Sequence, residues 1–170
     1  MKGKYSALDI ARYIINYSID IGKPVSNLKL QKLLYFVQGN FLRILKKPCF
    51  YENIEAWKYG PVVPNVYSEF KMYGSNDIPK ILNYNYFEKN KYRSIKKKFS
   101  FNLPENEKEI VNGVVIACAD FSSSYLVTLT HNQSPWKNSF HGYPTIITLK
   151  EMRDFFCDWF KNWRRNTTNR

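Results

Sequence analysis

Apolar residues recur at i, i+3 and i+4 spacing through the first part of the chain, and this pattern predicts two helices. The first runs from about Ser6 to Ile21. Its stripe is Ala7, Ile10, Ala11, Ile14, Ser18 and Ile21, with Ser6 as N-cap, Asp9 in the first turn, and Gly22 and Pro24 as the stop. The second starts after Ser26 and runs to about Lys46. Leu30, Leu33, Leu34, Val37, Phe41 and Leu45 form its stripe, and Leu28, Tyr35 and Leu42 form a second apolar line. A helix apolar over so much of its circumference reads as the central one. Lys29, Lys32 and Arg43 read as a basic edge, and Gln31, Lys32 and Tyr35 as a solvated edge beside the core line.

The periodicity then shortens. Ile54, Ala56 and Lys58 alternate with Glu55, Trp57 and Tyr59, which predicts a short strand. Tyr59-Gly60-Pro61 reads as a turn, because glycine can take positive φ and proline fixes its own. Pro64 suits the first turn of a helix carrying Val63, Val66, Tyr67 and Phe70, and Gly74 stops it. Residues 84–103 alternate loosely between apolar and basic positions, predicting an exposed hairpin whose lysines also guard a strand edge. After Pro104, three glutamates (Glu105, Glu107, Glu109) crowd the start of a helix through Val114, Val115 and Ala119. Ser122–Ser124 caps a helix at Tyr125–Asn132, Pro135 fits another helix start, and Gly142-Tyr143-Pro144 reads as a loop. Thr148 caps a last helix with Met152, Phe155, Phe156, Trp159, Phe160 and Trp163 on its apolar face. The expected fold is mainly α: a single compact helical domain of about six helices over residues 1–165, with a few short β-strands or a small hairpin. Residues 166–170 read as a frayed basic tail.

Composition narrows the function. A chain of 170 residues that is 44% hydrophobic can bury a core, and 17% aromatic residues is high for it. No apolar run reaches the roughly 18 residues of a membrane span, and no signal core is present, so a cytoplasmic protein is expected. Cys49, Cys118 and Cys157 are odd in number and far apart, which suits reduced thiols. The net charge of +12 is concentrated in Lys89, Lys91, Arg93, Lys96, Lys97 and Lys98, against Glu88, and in Lys161, Arg164, Arg165 and Arg170. Such segments attract acidic proteins, nucleic acids or membrane surfaces alike. His131 and His141 share no helical face, and only Asp120 and Cys118 remain by elimination as further metal ligands. The chain has no nucleophile elbow, P-loop or dinucleotide fingerprint. A protein that is not an enzyme, with no metal and no cofactor, is expected.

Four stretches occur in an order with a wider resemblance. They are the first helix, then LKLQKLLYFVQGNFL at Leu28–Leu42, then IEAWKYGPVVPNVYSEFKMYG at Ile54–Gly74, then LVTLTHNQSPW at Leu126–Trp136. Together they resemble the Panacea domain, the SocA-like antitoxin family that includes phage-associated GepA-like proteins, from about Ala7 to Phe160. The resemblance implies a mainly helical fold with short strands. It also implies a small cytoplasmic antitoxin, commonly encoded beside a toxin gene and neutralising that toxin by direct binding. Some members resemble adaptors that present a toxin to a protease, and the toxins are diverse, including ones that act on nucleotides or membranes. Some relatives carry an added N-terminal DNA-binding region, for which a domain starting almost at Met1 leaves no room. Homo- and hetero-oligomers both stay open, and no catalytic residues are implied.

The candidate partner-binding residues fall in three groups, each with a structural alternative. Trp57, Lys58, Tyr59, Gly60 and Pro61 form either a presented turn, since tyrosine and tryptophan dominate binding hot spots, or a rigid buried one. Gln31, Lys32 and Tyr35 form either a polar patch adjoining that turn or a solvated helix edge. Lys96 and Lys97 either steer an acidic toxin or form a solvated hairpin face. Thr130, His131 and Trp136 read as a capped, packed helix junction. The competing reading is a phage or prophage protein that binds nucleic acid through the basic hairpin and tail, with Tyr92, Phe99, Phe101 and Trp163 stacking on bases. No helix-turn-helix or RNA-binding signature accompanies it. A small hydrolase, third, would rest on His131 or Asp120.

Overall fold

Helix α2, Asn27–Ile44, runs through the middle of the molecule, and the other elements pack around it. The computed structural model describes residues 3–88 and 93–168, with the backbone alone for Phe87 and residues 159–168. The expected hairpin tip (Lys89, Lys91, Tyr92) and the end of the basic tail at 169–170 therefore lie outside the described residues. So do the side chains of Trp159, Phe160, Lys161, Trp163, Arg164 and Arg165.

The two N-terminal helices form where the periodicity puts them. The Ser6 hydroxyl accepts from Leu8 N–H at the start of α1, Ala7–Asp20, which buries Ala7, Ile10, Ala11, Ile14 and Ser18. Ser26 does the same for Lys29 N–H at the start of α2. Leu30, Leu33, Leu34, Val37 and Phe41 are all buried, and so are Tyr35 and Leu42 of the second line. The expected solvated basic edge is different. Lys32, Gln31 and Tyr35 are fully buried and Lys29 nearly so, while Arg43 is half-buried. Neighbouring segments lay backbone or amide groups against the buried side chains, which offsets part of the cost of burying them.

A three-stranded antiparallel sheet packs beside α2. Its order is β2-β1-β5, with β1 at Ile54–Trp57, β2 at Gly60–Val62 and β5 at Thr145–Ile147. The β1–β2 turn is Lys58-Tyr59, one step earlier than the expected Tyr59-Gly60-Pro61. Trp57 pairs with Gly60, so Gly60 and Pro61 already belong to the strand. Gly60 still supplies the positive φ, at 96°. Strand β5 was not foreseen: it is three residues long, and its partner β1 lies far upstream in the chain. Pro64 opens α3, Pro64–Phe70, and a 3-10 turn at Lys71–Tyr73 ends on Gly74 at φ 57°. Strands β3, Asn83–Glu88, and β4, Arg93–Lys98, form a separate two-stranded sheet, the hairpin expected there.

Four more helices complete the body: α4, Glu105–Ala117; α5, Ser123–His131; α6, Ser134–Ser139; and α7, Leu149–Thr168. Seven α-helices thus stand among the described residues, one more than expected. Thr148 and Glu151 cap α7 reciprocally: Glu151 N–H donates to the threonine hydroxyl, and Thr148 N–H donates to the glutamate. Glu107 does more than favour a helix start. It is buried, and it accepts hydrogen bonds from the Tyr5 hydroxyl and from Lys47 Nζ at 2.8 Å, tying the N-terminus and the end of α2 to α4. No described helix is long and apolar enough to cross a membrane.

Two neighbours on α2 fix what lies over it. Gly39 leaves room for Phe156 of α7, since a Cβ at Gly39 would sit 2.3 Å from the phenyl ring. Gln38 is fully buried; its Oε1 accepts from Cys49 N–H at 2.8 Å and Phe50 N–H at 3.3 Å, and its Nε2 donates to the Phe50 carbonyl at 3.1 Å. Gln38→Ala should therefore cost about 2–4 kcal/mol, because it strands several buried backbone groups at once. Urea denaturation checks this: the midpoint should fall with the slope unchanged.

Candidate functional site

The β1–β2 turn is held from below by α2 and from the side by α5 and α6. Beneath it, Lys32 Nζ donates to the Pro61 carbonyl at 3.0 Å. Gln31 Oε1 accepts from Val63 N–H at 2.9 Å, and its amide donates to Asn27, whose own amide donates to the Tyr67 carbonyl. Tyr35 donates to Gln133 Oε1 at 2.9 Å, which links α2 to the α5–α6 junction. Gly60 is confined twice, by its positive φ and by crowding. A Cβ there would lie 2.8 Å from both Lys32 Cε and Thr130 Oγ1.

The side support is aromatic. His131 stacks on Trp136 with ring centres 3.8 Å apart, and Trp136 stacks on Phe140 at 4.8 Å. Trp136 Nε1 donates to the Trp57 carbonyl at 3.0 Å. Thr130 is buried and donates back to the Leu126 carbonyl. The Thr130–Trp136 segment is thus a packed helix junction, as its sequence suggests, and it serves as a shelf for the turn.

What remains exposed is narrow. Tyr59 is 61% exposed and Lys58 is exposed beside it, with Lys58 Nζ 5.6 Å from the Tyr59 ring. Trp57 is half-buried; it meets Tyr67 edge-to-face at 5.2 Å and donates to Glu55. A groove of about 730 Å³ opens next to the turn. Leu28, Trp57, Tyr59, Val62 and Tyr67 supply its apolar walls, and Ser26, Asn27, Gln31, Lys71, Ser123 and Ser124 are among its polar groups.

The structure brings Gln31, Trp57, Lys58 and Tyr59 together at this groove. Lys32, Tyr35, Gly60 and Pro61 adjoin them but are buried. Lys96 and Lys97 are exposed on β4, in the other sheet, and do not line the groove. Tyr67, Leu28 and the serines of α5 escaped sequence reasoning as groove residues. The available signal was Leu28 on the second apolar line, together with Tyr67 one turn into the helix that follows the turn.

Burial dominates the electrostatics. It pushes the Lys32 ammonium down to about 7, since one carbonyl does not replace the lost water. It also lowers His131, assisted by the Lys32 charge, and raises the Tyr35 phenol. Among the described residues, no group of three His, Cys, Asp or Glu side chains is placed to hold a metal ion.

Residues 30–137 match the family model for the SocA-like antitoxin Panacea domain. Antitoxin SocA of Caulobacter vibrioides (strain NA1000 / CB15N) is 33% identical over 149 residues, covering 82% of this chain and 73% of that protein. No solved structure matches.

Lys32 gives the site a testable pH signature. With its folded pKa near 7 and its unfolded value near the ordinary lysine range, the unfolded chain holds a proton that the folded chain sheds between them. Stability from this group should rise with pH above about 7, with a slope approaching about 1.4 kcal/mol per pH unit, and level off once the unfolded lysine also deprotonates. Urea titrations at stepped pH should show this rise in the wild type and a flatter profile in Lys32→Met.

Proposed function

The chain belongs to the SocA-like Panacea domain family of antitoxins, and from that premise we propose that it is an antitoxin that neutralises a cognate protein toxin by binding it directly. The contact surface is the Lys58-Tyr59 turn and the groove beside it. The observation that carries this assignment is Tyr59, a large aromatic side chain 61% exposed on a turn whose base is buried and hydrogen-bonded. A rigid ring next to an apolar groove loses little freedom on binding, the usual property of a hot-spot residue. Lys32, Tyr35, Gly60 and Pro61 then act through the turn: they hold it in place and do not meet the toxin. Gln31 contributes to the groove floor while fixing Val63. The role needs binding only, with no reaction at this surface.

Co-expression with the product of the neighbouring gene, followed by growth and co-purification, tests the reading. Restored growth with a stable complex is expected. Tyr59→Ala should weaken that complex by about 30-fold or more without changing the melting temperature appreciably. Full affinity in Tyr59→Ala and in a second variant, Lys58→Ala, would move the interface elsewhere. Growth rescue without a complex would favour handover of the toxin to a protease.

A further inference from the structure

One face of the β3–β4 hairpin is exposed at each of its described side chains. Antiparallel pairing puts Asn83 opposite Lys98 and Asn85 opposite Lys96, so these four side chains share one face. All four are exposed, as is Ser94 on the same face. Among the described residues none of the four makes a side-chain hydrogen bond or ion pair. The opposite face carries the anchorage. The Arg12 guanidinium of α1 sits 4.1 Å from the centre of the Tyr84 ring and Tyr84 meets Phe99 edge-to-face, while within the hairpin itself Lys97 Nζ lies 4.1 Å from the Tyr86 ring.

Lysine on an edge strand protects against strand addition, and this would account for Lys96 and Lys98 alone. It does not account for Asn83 and Asn85. Asparagine is a poor strand former, and two of them fill alternate positions of one strand, each paired with a lysine. Along either strand, same-face positions repeat at roughly 6.6 Å, and the two strands lie about 4.8 Å apart. A two-stranded ribbon of this size fits the major groove of duplex DNA. Asparagine presents a donor and an acceptor that match adenine N7 and N6, and lysine neutralises phosphate.

We infer that the outer face of the β3–β4 hairpin is a DNA-binding ribbon. Asn83 and Asn85 read adenine edges in the major groove, and Lys96 and Lys98 engage the flanking phosphates. This site is separate from the turn and groove, and it does not depend on the antitoxin assignment.

The test is fluorescence anisotropy of the full chain with labelled poly(dA-dT) and poly(dG-dC) duplexes over a salt series. Binding should weaken steeply with salt and favour the A·T duplex. Lys96→Ala/Lys98→Ala should reduce the slope of log affinity against log salt by about 2. Asn83→Ala/Asn85→Ala should keep the slope and remove an A·T preference of roughly tenfold or more. Lys96→Arg/Lys98→Arg should bind like the wild type. All these positions are exposed, so circular dichroism and melting should match the parent. Absent duplex binding, or binding that the lysine variant leaves unchanged, overturns the inference. Lysine dependence without an A·T preference overturns groove readout and leaves phosphate attraction alone. Unchanged DNA binding with weakened toxin association in the lysine variant would assign the face to an acidic protein surface.

Discussion

Side chains of α2 hydrogen-bond to the backbone of the segments that cover it, most of which have little regular structure of their own. Gln38 serves the chain at Cys49 and Phe50, Gln31 serves Val63, Lys32 serves Pro61, and Asn27 serves Tyr67. The first three of these partners lie where a loop or short strand meets the core and Tyr67 lies in the short helix α3, and each group would cost about 1–3 kcal/mol if buried without a partner. The helix is therefore both the hydrophobic centre and the template that positions the chain from residue 49 to residue 67. Its polar residues carry the placement, and its leucines, valine and phenylalanines carry the burial.

The same arrangement explains why a small sheet can present a defined surface. Strand β2 is three residues long and would have little stability alone. Lys32 and Gln31 below it, and the stacked His131, Trp136 and Phe140 beside it, supply what the strand lacks. Placing an amine in this position is costly, because burial disfavours its charge. The turn consequently stands on a group tuned close to neutrality, and its backbone is ordered before any partner arrives.

Much of this was legible in the sequence. Caps and periodicity located α1, α2, α3 and the hairpin, because those signals are local: Ser6, Ser26, Pro64 and Gly74 act within a turn of themselves. Tyr59 stood out as an aromatic beside a glycine and a proline. Three features were not legible. A lysine or glutamine on a helix looks solvated until the segment that covers it is known, so Gln31, Lys32 and Tyr35 were misread as a solvated edge. The three-residue β5 has no signature apart from its partner β1. The turn slipped by one residue because Gly60 and Pro61 are turn-formers that here occupy a strand start, where crowding by Lys32 and Thr130 demands glycine.

The fit of Phe156 over Gly39 joins the last helix to the centre of the second one. Strand β5 likewise reaches back to β1 from near the same point in the chain. A ribosome delivers both closing pieces late, when α1 to α6 have already emerged. Until then the upper side of α2 and one edge of β1 are bare, and contacts of such long sequence separation form slowly. The unfinished polypeptide therefore passes through a window in which its most deeply buried helix is accessible to chaperones and proteases. Arrival of Phe156 closes that window, so the exposure of α2 ends only once α7 has been made.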